Sequence, residues 1–214
     1  MMDIDNMKEK MHVEMKKTGT TTLAMICKDG VVVAADKKAT MGYLIATKDT
    51  DKIVPLDDHI VMTTAGSSGD AQALARYLKA EFKLFELQNG RKIPVNSAAS
   101  LLSNILQNSK YYPYFVQLII AGYDESGPSV YTLDLLGSYE QEKKFFSTGS
   151  GSPFALGVLE DSFKDGMSTE EGSKLAFRAV KAATERDIAS GGRAIDVGVI
   201  TKSGIKLTRH DISK

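Results

Sequence analysis

Apolar positions along this chain follow two periods, and the switches between them divide it into blocks. Residues 20–27 and 31–35 form two β-type runs joined by Lys28-Asp29-Gly30. Asp-Gly between such runs predicts a hairpin, because those residues tolerate positive φ. Residues 53–56 and 59–64 read as further strands, apolar on both faces as expected of a sheet covered on each side. From Asp70 to Leu87 the period lengthens. Leu74, Tyr77, Leu78, Phe82 and Phe85 recur at three and four, while Arg76, Lys79, Lys83 and Glu86 fill the other side. That pattern predicts an amphipathic helix, ended by Asn89-Gly90. A second helix follows Pro94, with a stripe of Ala98, Leu101, Leu102, Ile105 and Leu106. Two helices joined by a short loop predict an antiparallel pair on one sheet.

The short period then returns over residues 115–123, 129–134 and 139–147. Ser152-Pro153 predicts a helix start, with Ser as N-cap and Pro in the first helical position. Ser168-Thr169-Glu170-Glu171 is a capping box, leading into the stripe Leu175, Ala176, Ala179, Val180 and Ala183. Residues 194–201 and 205–208, joined by Lys202-Ser203-Gly204, predict a last hairpin. Strand and helix blocks are segregated, with no repeat and no low-complexity linker. The expected class is α+β: a four-layer αββα sandwich, two mainly antiparallel sheets packed together with a helix pair on each outer face.

Composition narrows the function classes. A length of 214 residues with 43% apolar and 25% charged residues suits one soluble globular domain. Twenty-seven cations balance 27 anions, which argues against nucleic acid or an anionic membrane as partner. The single cysteine, Cys27, sits in an apolar strand-like run and excludes an intrachain disulfide. No run of 18 apolar residues predicts a membrane span, and Met1–Gly19 lacks the apolar stretch of a signal peptide. His12, His59 and His210 have no metal-ligand spacing, so neither metal nor cofactor is expected.

Candidate chemistry begins at Thr18-Gly19-Thr20-Thr21-Thr22. A threonine hydroxyl needs a base within hydrogen-bond reach. A cut after Gly19 would place an α-amino group, with an ordinary pKa of roughly 7.7–8.0, on the residue that carries the hydroxyl. Taken alone, these residues are better read as the opening of a β-strand, where Thr is common.

Further motifs follow in order: Ala34-Ala35-Asp36-Lys37-Lys38-Ala39-Thr40, Lys52 before an apolar strand, Thr64-Ala65-Gly66, and Gly69-Asp70-Ala71-Gln72. After them come Leu101-Leu102-Ser103-Asn104, Gly149-Ser150-Gly151-Ser152-Pro153 and Arg186-Asp187-Ile188-Ala189-Ser190-Gly191-Gly192. From Gly19 onward this set resembles the archaeal-type proteasome β subunits, which are N-terminal-nucleophile hydrolases. The resemblance implies a threonine-type endopeptidase. Residues 1–19 would be a propeptide removed by autolysis, and residues 20–214 the catalytic domain. Thr20 would be the nucleophile and new N-terminus, and Gly19–Thr20 the cleavage site. Asp36 and Lys52 would be its charged partners, with Ser150, Asp187 and Ser190 as further polar residues around it. Gly66 would supply the oxyanion N–H, and the backbone at Thr40 would bind substrate as an added strand. Ala39, Thr50, Val54, Thr64, Ser68 and Gln72 would line the side-chain pocket. None of these six is charged, which favours apolar residues before the cut. Read without the resemblance, Lys52 and Asp36 would be solvated charges, Gly-Ser-Gly a common loop and Asp187 a helix-end charge.

The resemblance also implies partners: homo-oligomeric, seven-membered β rings stacked with α-subunit rings, an ATP-driven unfoldase as regulator, unfolded polypeptides as substrate, and a cytoplasmic location. Two other readings stay open. The bacterial two-ring relative also begins its mature chain with threonines, but lacks the Arg-Asp-x-x-Ser-Gly-Gly motif. The other is an inactive ring subunit: inactive β subunits usually lose the threonine, the lysine or the preceding glycine, and all three are present here, while an α-type gate subunit would open with a helix-forming segment that Met1–Gly19 does not match.

Overall fold

The computed structural model describes residues 19–212. The expected propeptide up to Thr18, with His12, lies outside the described residues. Two sheets form the centre. The first is built from β1 (Thr22–Cys27), β2 (Gly30–Asp36), β10 (Phe145–Thr148), β11 (Ala194–Thr201) and β12 (Gly204–Asp211), in the order β10-β1-β2-β11-β12. The second comprises β5 (Ile53–Pro55), β6 (Ile60–Gly66), β7 (Val116–Asp124), β8 (Gly127–Leu133) and β9 (Tyr139–Glu142), in sequence order. All pairings within both sheets are antiparallel.

Side chains alternate across each strand, so each sheet feeds two cores. From β1, Leu23, Met25 and Cys27 point outward with Val32 and Ala34 of β2. They meet helices α3 (Ser152–Ser162) and α4 (Thr169–Arg186) through Ala155, Leu159, Ala176 and Val180. On the second sheet, Ile60, Met62, Leu118 and Ile120 meet α1 (Ser68–Asn89) and α2 (Val95–Asn108) through Leu74, Leu78, Leu102 and Leu106. Between the sheets, Ala24, Val31, Val33 and Ala35 pack on Val61, Ile119, Ala121 and Val130. The chain is therefore a four-layer αββα sandwich. The intersheet core has a polar centre. The Thr22 hydroxyl bonds those of Thr63 at 2.9 Å and Thr148 at 2.6 Å, so three buried hydroxyls satisfy one another across both sheets.

Three local expectations are corrected. The run 139–147 is not one strand. It breaks at Lys143-Lys144, giving β9 to one sheet and β10 to the other. The N-cap of α3 is Gly151, not Ser152, with Pro153 still in the first turn. A small hairpin, β3 (Ala39–Met41) with β4 (Leu44–Thr47), stands outside both sheets and exposes Met41, Tyr43, Leu44 and Ile45. Exposed apolar residues without alternation gave no strand signal there.

Candidate active site

The site forms where β1 and β2 begin and end beside each other. The antiparallel register sets Thr22 against Ala35, so Asp36 arrives opposite Thr21. Asp36 is fully buried and accepts four hydrogen bonds. Oδ1 takes the Thr21 N–H at 2.8 Å and the Lys52 ammonium at 2.7 Å. Oδ2 takes the Gly191 N–H at 2.8 Å and the Lys38 N–H at 3.1 Å. These four donors and the adjacent ammonium compensate a carboxylate whose burial would otherwise be costly.

Lys52 immediately precedes β5, and its carbonyl accepts the Thr64 N–H at 2.9 Å, which ties it to β6. Its side chain is 5% exposed. Burial lowers its pKa below the ordinary lysine value, with Lys38 acting in the same direction, while Asp36 and Asp187 oppose the shift. Among the described residues no buried side-chain nitrogen or oxygen lacks a hydrogen-bond partner.

Thr20 is buried at the head of β1. Its hydroxyl donates to the Gly19 carbonyl at 2.7 Å, and its N–H donates to Ser150 Oγ at 3.2 Å. Behind it stands a hydroxyl–carboxylate chain. Ser150 and Ser190 each donate to Asp187 Oδ2 at 2.6 Å, and Ser190 also accepts from Thr21 Oγ1 at 2.6 Å. Asp187 is the residue that caps the end of α4, its N–H bonded to Ala183. It is both a helix-end charge and the anchor of two serines.

Gly19 leaves no room for a side chain, since a Cβ there would sit 1.6 Å from that of Ala189. Its N–H donates to Thr40 Oγ1 at 3.2 Å, so β3 holds the residue before the threonine. Gly66 ends β6 with φ +109°, and a Cβ there would meet the Phe115 carbonyl at 2.1 Å. Only glycine takes that conformation readily.

These residues border a cavity of about 90 Å³. Gly19, Thr20, Lys52 and Gly66 line it with Ala39, Thr40, Thr50, Val54, Thr64, Ser68 and Gln72. Asp36, Ser150, Asp187 and Ser190 are not on its wall: Asp36 bonds Lys52, Ser150 bonds Thr20, Ser190 bonds Thr21 next to Thr20, and Asp187 lies one step further back, accepting from both serines. Sequence reasoning missed Lys38, Asp51, Ser67 and Ala71, which share the lining. Two of these are charged, so the wall is not wholly neutral. Both charges are engaged: Asp51 with Lys37 at 2.5 Å, and Lys38 with the Ile188 carbonyl at 3.2 Å. Ser67 is the N-cap of α1, which opens towards the cavity through Ser68, Ala71 and Gln72. The signal for Ser67 was its place three residues before Asp70, whose N–H it accepts.

Away from the cavity, Asp57, Asp58 and His59 bring three potential ligand atoms within 4.8 Å of one another. The Lys92 ammonium pairs with both carboxylates, at 2.9 Å and 2.5 Å, so the group carries its own counter-ion.

A comparison with known families gives one match, described as "Proteasome subunit", over residues 16–200. The chain belongs to the proteasome subunit family. Proteins named "Proteasome subunit beta" resemble this family member over most of its length. The one from Methanocaldococcus vulcanius is 52% identical over 190 residues, 88% of this chain and 85% of the relative. That from Archaeoglobus profundus is 48% identical over 197 residues, 92% and 91% of the two chains. That from Methanosarcina thermophila is 46% identical over 188 residues. Among the described residues no helix is long and apolar enough to cross a membrane.

Proposed function

We propose that this proteasome-family chain is the catalytic β subunit of a 20S core, a threonine peptidase whose nucleophile is Thr20 after loss of residues 1–19. The observation that supports this most is the threonine hydroxyl resting on the carbonyl of its own preceding residue, 2.7 Å away, beside the buried Asp36–Lys52 pair. In the precursor, Oγ1 adds to the Gly19 carbonyl carbon, and the amide bond breaks as its nitrogen takes up a proton. The resulting ester is hydrolysed by water, releasing residues 1–19 and freeing the α-amine. In the mature subunit that amine accepts the hydroxyl proton as Oγ1 adds to a substrate carbonyl. The proton passes to the leaving amine, and water then cleaves the acyl-threonine. The Lys52 cation favours the ionised hydroxyl and the neutral amine, and Asp36 holds it in place. The Gly66 N–H serves the developing oxyanion, and Thr40 pairs its backbone with the extended substrate.

The pocket is proposed to take apolar side chains. Ala39, Val54 and Thr64 are small and leave depth, the Asp51 carboxylate is paired with Lys37, and the Lys38 ammonium is turned to the Ile188 carbonyl. Unfolded polypeptides are the proposed substrates. Seven-membered β rings stacked with α rings, fed by an ATP-driven unfoldase in the cytoplasm, are the proposed setting.

The test is co-assembly with α subunits followed by intact-mass measurement and peptide hydrolysis. Loss of residues 1–19 and turnover in the wild type, with both abolished in Thr20→Ala, is the expected result. Hydrolysis by Thr20→Ala would overturn the assignment.

A further inference from the structure

Lys37 is the largest of the fully buried side chains, 1% exposed, although a lysine between two other charged residues reads as surface. Its ammonium meets three carboxylates: Asp51 at 2.5 Å, Asp196 at 2.8 Å and Asp49 at 3.1 Å. Burial lowers its pKa, but those bonds outweigh the burial and leave it raised. Arg209 on β12 approaches the same three carboxylates at 3.3–3.5 Å. Two cations and three anions thus join the sheet edge, through β11 and β12, to residues 48–52. That segment has no regular secondary structure. Yet it carries Thr50, Asp51 and Lys52, all on the cavity wall.

The geometry assigns Lys37 as the positioning residue for Lys52. Consecutive residues of an extended chain point opposite ways. Asp36 therefore reaches Lys52 on one side, while Lys37 reaches Asp51 on the other. The two ion pairs are adjacent rungs of opposite polarity between the same two segments, and the Thr50 N–H to Lys37 carbonyl bond at 2.9 Å links the backbones. A slip of one residue in either direction brings Asp36 to Asp51 or Lys37 to Lys52, like against like. The pattern of signs locks the register of the segment, and with it the place of the Lys52 ammonium. Asp196 anchors the lock from β11 without touching the cavity.

The inference rests on the proposed peptidase activity, and the test separates the two. Assembled particles are made with Lys37→Met, Lys37→Arg and Asp196→Asn, with Thr20→Ala as control. A fluorogenic peptide ending in tyrosine is the probe, and kcat is expressed per processed subunit. Lys37→Met is expected to lower kcat about tenfold or more with KM within about threefold. Asp196→Asn is expected to lower kcat about threefold or more, and Lys37→Arg to restore it to within about threefold of wild type.

The pH profile supplies a readout that loss of stability would not move. Lys52 faces Asp36 from β2, Lys38 just beyond it and Asp187 at the end of α4. Water admitted by a loosened segment relieves its burial, so the alkaline limb of kcat moves to higher pH in Lys37→Met. Wild-type kcat and an unmoved alkaline limb in Lys37→Met would overturn the inference. So would a loss that Lys37→Arg does not restore while Asp196→Asn is unaffected. Turnover by Thr20→Ala overturns the peptidase assignment instead.

Discussion

Asp36→Asn probes the charge arrangement most directly. The substitution keeps shape and volume but removes the anion from a fully buried position. The native carboxylate serves four donors, two on each oxygen. An amide oxygen can serve one such pair, leaving the NH₂ group facing the other. If the oxygen stays with Thr21 and Lys52, the NH₂ confronts the N–H groups of Lys38 and Gly191. In either orientation, Lys52 keeps no full counter-charge within 2.7 Å. Leaving one member of a buried pair uncompensated costs about 3–5 kcal/mol. Lys52 can relieve that cost by releasing its proton, because Asp36 is the main influence opposing the effect of burial on its pKa. The cation then disappears while the fold persists. If the whole term is felt in the transition state, kcat falls by about two to four orders of magnitude. The sign in pH follows from the proposed role, in which Lys52 acts protonated: activity is then present below its pKa and lost above it. Removing Asp36 lowers that pKa further, and the alkaline limb shifts to lower pH, opposite to the shift expected for Lys37→Met. The assay is kcat against pH on assembled particles, with thermal melting as a check on folding. A variant with kcat within about threefold of wild type at neutral pH and an unmoved alkaline limb would refute the reasoning.

Three further outcomes follow from the geometry. Gly19→Ala, whose Cβ would lie 1.6 Å from that of Ala189, is expected to retain residues 1–19, and intact mass showing wild-type removal would contradict the contact. Lys52→Arg is expected to lose turnover although charge is kept, since a planar guanidinium does not replace a compact ammonium on Asp36 Oδ1; fluorogenic peptide hydrolysis decides it. Cys27 is buried, and burial, with Asp29 and Glu171 adding to it, pushes its thiol up to about 12, so alkylation at pH 8 is expected only after unfolding, as read by mass shift.

Much of the fold was legible because period and punctuation agree locally. Asp29-Gly30 marked the first hairpin, and the stripes of α1, α2 and α4 marked faces that pack on the sheets, except Tyr77 of the α1 stripe, which lies at the edge of that face and is exposed. The split of residues 139–147 was not legible, since a change of sheet is decided by distant partners: β9 joins β8, whereas β10 joins β1. Candidate site residues came from separated motifs matched to a family, and their chemistry alone would have left Asp36 and Lys52 as surface charges. Lys37 shows the limit of composition more sharply. Its burial depends on Asp49, Asp51 and Asp196 converging from two segments, and no single window of sequence carries that.

The hydrogen bonds that surround Thr20 span most of the chain. Its N–H partner, Ser150, lies 130 residues downstream, and the hydroxyl of Thr21 meets Ser190 across 169 residues. Non-local pairings of this kind form late, because loop closure must precede them. A ribosome that has emitted only the first sheet hairpin has already made the hydroxyl and the bond it is proposed to cut, but none of their surroundings. If residues 1–19 are removed as proposed, topology would set the timing of the cut: it would wait until Ser190 had emerged and folded back onto Thr21, so that maturation would report completed folding.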